Sequence, residues 1–221
     1  MRSIWPVLAL VLIAGSATAA IDVDLTRYTE AERAGAAVAV TGRVFAERRK
    51  VDGPDLPLEG ASVVAVPRSE ALLRRFEYLR ESARDSATAY RDAAMLMQRA
   101  REAYERELWE AGAPQLVRNA VVDSTGHFDL GSLPEGPWMI VAVWDRVVNA
   151  KVTKPDTKKR DLYLPTPRLT GYRARLVWLR EVAVSRADPA SLELTDRNVW
   201  FSGVVEERLQ DAGRPTGRRP R

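Results

Sequence analysis

Hydrophobic positions change their spacing twice along this chain, and each change marks a different kind of structure. Residues 121–143, VVDSTGHFDLGSLPEGPWMIVAV, read as strand, tight turn, strand, loop, strand. Val121 and Val122 are β-branched. Asp123-Ser124-Thr125-Gly126 is a turn cluster, in which the aspartate bonds its own backbone and the glycine supplies positive φ. Phe128 and Leu130 then alternate with His127 and Asp129, the period of a half-buried strand. Leu133-Pro134-Glu135-Gly136 is a second break, and residues 138–144 form a valine-rich apolar run too short for a helix. Further strands are predicted over 36–45, where Gly42 marks a bulge or a close approach, and over 62–66. A β-strand core follows.

Between these strands the period lengthens. No Gly or Pro occurs from Ser69 to Ala111. Leu72, Phe76, Leu79, Ala83, Ser86, Tyr90, Ala94, Met97, Arg101, Tyr104 and Leu108 recur at intervals of three and four, the stripe of an amphipathic helix. Ser69 is its N-cap, and Gly112 with Pro114 its stop. A single straight helix of this length would run about 65 Å, against ~17–20 Å for an ordinary strand. The segment is therefore expected to fold as a hairpin turning near Asp85-Ser86. The alternative is one long helix pairing with a second copy of the chain.

Elsewhere the pattern is weaker. Residues 21–25 alternate like an edge strand, and 29–35 are polar without a clear period. Another strand is expected over 147–153, a turn over 154–159, and a closing strand over 161–164. Tyr172, Leu176, Leu179 and Val182 fit a helix, while Tyr172, Ala174, Leu176 and Trp178 fit a strand; the helix is preferred. A last strand is expected over 192–195, with Trp200, Phe201, Val204 and Val205 packing back on the body.

The strand segments resemble a known family. Val40-Thr41-Gly42-Arg43-Val44, then Pro57-Leu58-Glu59-Gly60-Ala61 running into Ser62-Val63-Val64, then Asp123 to Leu130 and Leu133-Pro134-Glu135-Gly136 stand in the order of a carboxypeptidase regulatory-like domain. The resemblance covers about residues 36–66 and 116–164. It implies a transthyretin-like (prealbumin-like), seven-stranded β-sandwich, mainly β with an inserted long helix or helical hairpin and a small C-terminal extension. The expected division is a signal peptide over 1–20, the sandwich over 21–68 and 113–165, the helical insertion over 69–112, the extension over 166–211 and a disordered basic tail over 212–221.

Charge and composition narrow the setting. Met1-Arg2, an apolar run over 4–14 and small residues up to Ala20 have the form of a secretory signal peptide, with Ala17-Thr18-Ala19 as the cleavage motif. The run is shorter than the ~20 residues that span a bilayer, and no later segment is expected to cross one. The chain has no cysteine. A periplasmic or extracellular location is expected. The formal charge is +4, but Arg2 supplies one of those charges and the last ten residues four, which leaves 21–211 near −1. That balance is no footprint for nucleic acid.

Candidate chemistry is sparse. His127 is the one histidine. Zinc carboxypeptidases, which often carry a domain like this one, need two histidines and a glutamate at their metal, so the resemblance brings the fold without the peptidase. A serine triad would have to use His127, and no G-x-S-x-G elbow is present. No catalytic, metal-binding or cofactor-binding residue is assigned. Asp123 to Gly126 reads as a hairpin turn, and His127 as a surface histidine beside it.

A non-catalytic module is therefore expected, binding an envelope or surface protein, or a second copy of itself, through the insertion, with Tyr90 near its tip. A carbohydrate-binding module is the alternative. Trp138 and Trp144 share one face of a strand and would stack on sugar rings if that face were outward. A hydrolase with an unfamiliar carboxylate site ranks last.

Overall fold

The structure is a computed structural model that describes residues 21–48, 53–149, 168–187 and 191–210. The expected signal peptide, the turn at 154–159, the closing strand at 161–164 and the basic tail lie outside the described residues. So do residues 150–153 of the strand expected over 147–153.

Nine strands and three α-helices occur among the described residues. In chain order they are α1 (Leu25–Arg33), β1 (Ala37–Ala46), β2 (Leu56–Pro57), β3 (Ser62–Pro67), α2 (Glu70–Ser82), α3 (Ala87–Glu110), β4 (Arg118–Val121), β5 (His127–Pro134), β6 (Gly136–Asn149), β7 (Arg168–Val184), β8 (Ser191–Thr195) and β9 (Phe201–Gln210). A single 3-10 turn, Pro114–Leu116, follows α3. The fold is mixed α/β: two sheets face each other as in a sandwich, and the long inserted helix α3 lies with α2 on the outside. In sheet A, β1 pairs antiparallel with β2 and β5 on one side and parallel with β8 on the other. Sheet B runs β4-β3-β6-β7-β9, antiparallel throughout.

Two apolar cores result. Between the sheets lie Val40, Val44, Phe128, Leu130 and Leu133 from sheet A, with Val63, Ala65, Trp138, Ile140 and Trp178 from sheet B. On the other face of sheet B, Val64, Val66, Met139, Val141, Val177 and Leu179 meet Leu72, Phe76, Leu79, Met97, Tyr104 and Leu108 of the insertion. The central strands are thus buried on both faces. This is why Val63-Val64-Ala65-Val66 and residues 138–142 run apolar without alternation.

The insertion breaks where its helix propensity is lowest. Ser69 Oγ accepts from the Leu72 amide at 3.0 Å, and Ser86 Oγ accepts from the Ala89 amide at 3.0 Å, so each helix starts on its own serine cap. Two helices replace the single long one. Arg175 of β7 fastens α3 to the sheet: its Nε and Nη2 donate to both carboxylate oxygens of Asp145 at 2.6 and 2.7 Å, and its Nη1 donates to Gln98 on α3.

Four expectations are corrected. Residues 21–25 are not an edge strand; Asp24 accepts from the Thr26 amide at 3.0 Å and caps α1, which continues through the polar stretch 29–33. The C-terminal segment preferred as a helix is β7, in register with β6 from Gly136↔Val184 to Asn149↔Gly171. Its side chains alternate between the cores, Leu176 and Trp178 towards sheet A, Val177 and Leu179 towards the helices, so apolar residues at every position imitate a helical stripe. The strands expected at 138–144 and from 147 onward are one strand, β6. The described strands number nine rather than seven, because the extension contributes β7, β8 and β9.

Tyr28 of α1 seals one end of the sandwich. Its ring meets Trp138 edge-on at 5.3 Å and its hydroxyl donates to the Pro137 carbonyl. Gly42 marks a close approach: a Cβ there would lie 2.5 Å from the Leu192 carbonyl oxygen and 2.5 Å from Phe128 Cζ. Since both neighbours belong to the core or its ladder, Gly42→Ala is expected to lower stability by ~1–3 kcal/mol. Urea denaturation measures this, and an unchanged midpoint would contradict it.

Candidate functional site

Among the described residues the centre of sheet B is covered on both faces, while Val147 at the far end of β6 is exposed; on sheet A the inner face is covered, and Thr41, His127, Asp129 and Glu193 of the outer face are exposed. On β1, Val40, Gly42 and Val44 point inward, so Thr41, Arg43 and Phe45 point outward. The register aligns their neighbours. Thr41 lies opposite Asp129 on β5 and Ser191 on β8, Arg43 opposite His127 and Glu193, and Phe45 opposite Pro57 on β2 and Thr195 on β8. Three rows of side chains, crossing β1, therefore stand on one surface. Directly opposed side chains in such a ladder are ~4.5–5.5 Å apart at Cβ.

Asp123 organises the margin of this face. Its Oδ1 accepts from the Thr125 amide at 2.8 Å, from Thr125 Oγ1 at 2.6 Å and from the His127 amide at 2.9 Å. The hydrogen bond from Thr125, with those from the backbone, holds the Asp123 carboxyl below its ordinary range. Thr125 Oγ1 also lies 2.9 Å from His127 Nδ1. The hydroxyl donates its one hydrogen to Asp123, so its oxygen accepts from Nδ1–H of His127 and the imidazole ring is held in place.

A cleft of ≈ 540 Å³ opens here, lined by Thr41, Val121, Asp123, His127, Phe128 and Asp129. Its size falls within the ~300–1,000 Å³ of ordinary ligand sites. Asp129 Oδ1 accepts from the Gly131 amide at 2.7 Å, which fixes the carboxylate and leaves Oδ2 for a ligand. Val121, 68% exposed, supplies an apolar wall. A second cleft of ≈ 240 Å³ lies at the base of the insertion beside Asp22, Ser69, Tyr104 and Glu107. The space between α3 and sheet B, ≈ 10 Å³, holds no more than a single water.

Of the residues singled out in the sequence, Asp123 and His127 line this cleft, whereas Tyr90, Trp138 and Trp144 do not. Trp138 and Trp144 do share a face, but it is the inner one. Trp138 is fully buried and donates its Nε1–H to the Pro134 carbonyl at 2.8 Å. Trp144 packs against the edge of the same core and donates to the Glu59 carbonyl at 3.1 Å. Tyr90 is 39% exposed, with its ring 6.2 Å from Phe201 of β9, so it rests on the sheet. Tyr78 and Trp109 of the insertion are exposed, whereas Tyr104 is buried and donates to the Pro67 carbonyl at 3.1 Å. Arg43, Asp129 and Glu193 were missed, because only the pairing of β1 with β5 and β8 brings them together. Among the described residues no group of three or more His, Cys, Asp or Glu side chains is placed to hold a metal ion. No helix among them is long and apolar enough to cross a membrane.

No family model and no curated protein matches the chain. The crystal structure of a candidate carbohydrate-binding protein from Pseudomonas aeruginosa is similar to it over 79% of this chain and 97% of that one, with 14% identity and a TM-score of 0.40. At that level the two chains share a loose outline.

The Asp123 turn gives a direct test. Thr125→Val removes the largest cause of the lowered pKa, so the Asp123 carboxyl midpoint is expected to rise towards the ordinary aspartate value in an NMR titration. A carboxyl depressed by folding adds stability above its unfolded value and loses it as pH falls through the folded one. The variant should therefore lose more thermal stability at neutral pH than in acid. An unmoved midpoint would contradict the network.

Proposed function

We propose that this chain is an exported, non-catalytic β-sandwich module that binds carbohydrate on the outer face of sheet A. The observation that carries the reading is the register that lines up Ser191-Thr41-Asp129 and Glu193-Arg43-His127 on the outer face of sheet A. Carboxylates that accept, hydroxyls that do both and an apolar wall at Val121 are the groups a polyhydroxylated ring needs. They are held on strands rather than on loops, so little ordering is paid on binding. The hydroxyl network fixes the ring of His127.

The same strands support the family resemblance. Gly42 lies in β1, the Asp123 turn joins β4 to β5, and Leu133-Pro134-Glu135-Gly136 makes the corner between β5 and β6. On this reading the chain belongs with the carboxypeptidase regulatory-like, transthyretin-like sandwiches, and its first twenty residues direct it to the periplasm or the exterior. Binding without catalysis is favoured by the position of Glu105: burial raises its pKa, as a general acid would need, but it pairs with Arg101 on α3, in the helical layer. Partner contact moves from the insertion to sheet A, because the apolar stripe of the insertion is spent on sheet B.

Titration with soluble neutral oligosaccharides, cello-oligosaccharides first, tests the reading by NMR. Amide shifts are expected at Thr41, Arg43, His127, Asp129 and Glu193, and Asp129→Ala should weaken binding by about tenfold, ~1.4 kcal/mol. Shifts confined to α2 and α3, or binding unaffected by Asp129→Ala, would overturn it.

A further inference from the structure

Phe45 is an anomaly among the aromatic residues. It points to the solvent side of sheet A with Thr41 and Arg43, and it belongs to neither apolar core, yet it is only 7% exposed. Over its ring lies the side chain two residues back: the Arg43 guanidinium carbon is 4.8 Å from the centre of the Phe45 ring. Arg43 is poorly held in that place. Among the described residues it has no ion-pair partner, and its Nε, shut away from solvent, has no hydrogen-bond acceptor. An unsatisfied buried donor is costly and asks for an explanation. Meanwhile Glu193, exposed and directly across the β1–β8 ladder from Arg43, has no ion pair among the described residues. A cation stacked on a ring and a free carboxylate thus stand side by side, within reach of each other.

We propose that Phe45 is the stacking surface of the carbohydrate site and that Arg43 is its movable cover. This rests on the carbohydrate reading given above. In the free protein the guanidinium lies on the ring and keeps it from water. When a sugar ring arrives, Arg43 turns away to pair with Glu193, its Nε gains an acceptor, and the ligand's apolar face takes the guanidinium's place on Phe45. The exchange replaces one cation–π contact by an ion pair and a ring–sugar contact, so opening the cover costs little. The ligand class this selects is an uncharged saccharide with one apolar ring face. Asp129, two rows along the same face, and Asp123 at its margin would repel a uronate or a sulfated sugar.

Calorimetric titration of the full chain and three variants, with a cello-oligosaccharide and with an oligogalacturonate as probes, decides the matter. Arg43→Ala uncovers the ring and is expected to bind the neutral probe more tightly than the parent protein. Phe45→Leu, which keeps an apolar side chain in place, is expected to weaken binding roughly three- to tenfold. Glu193→Gln takes away the landing site and is expected to weaken binding while leaving the melting temperature unchanged. The oligogalacturonate should bind none of them measurably. If Arg43→Ala weakens binding, Arg43 is a direct contact and the cover is overturned, whether or not Phe45→Leu folds. If the neutral probe binds through Asp129 but none of the three variants changes its affinity, the carbohydrate site stands and the cover falls. If the anionic probe binds better than the neutral one, the ligand class is wrong. If neither probe binds any form, both proposals fall together.

Discussion

The rest of this structure depends on one constraint: β3 and β6 have no polar side. Val63, Ala65, Ile140 and Ala142 bury towards sheet A, while Val64, Val66, Met139 and Val141 bury in the opposite direction. A sheet whose central strands are apolar on both faces needs two covers, because exposed apolar area costs about 25 cal/mol per Å². Sheet A is one cover and the α2–α3 layer is the other. The insertion is thus a structural layer, and its charged residues face out because its apolar stripe is already committed.

Everything else is placed by that arrangement. Arg175, largely buried and bound bidentately to Asp145, reaches Gln98 on α3 and sets where the helical layer sits on the sheet. With the centre of sheet B enclosed, the outside of sheet A offers an open face among the described residues. The polar residues that gather there come from strands far apart in sequence, and β8 returns from the C-terminal region to pair in parallel with β1. Gly42 lets that pairing happen, since any side chain would strike the Leu192 carbonyl.

Local chemistry was legible in the sequence, and long-range pairing was not. The Asp123 turn, the strand at Phe128 and Leu130, the Ser69 cap and the buried stripe from Leu72 to Leu108 all follow from neighbours a few residues apart. β7 was misread because its centre, Leu176 to Leu179, is buried on both sides, and a run without a polar face has no period to read. The α1 helix was missed because its one buried anchor, Tyr28, sits among polar residues. Trp138 and Trp144 were correctly put on one face, but which side a face takes is decided by the layers around it. For the same reason Arg43, His127 and Glu193 looked like unrelated surface residues: nothing local reveals that they share a row. Phe45 was the hardest to see, since an aromatic in a strand reads as core unless the inward positions of its strand are already filled.

The most direct test of this account is to excise the helical layer. Residues 70–111 would be replaced by a short Gly-Ser linker joining β3 to the 3-10 turn, and the product's solubility and thermal unfolding compared with those of the full chain. If sheet B requires both covers, the shortened chain exposes Val64, Val66, Met139 and Val141 together and aggregates without a cooperative transition. A soluble shortened chain that unfolds cooperatively near the temperature of the full protein would show that the sandwich stands without its third layer, and would contradict the account.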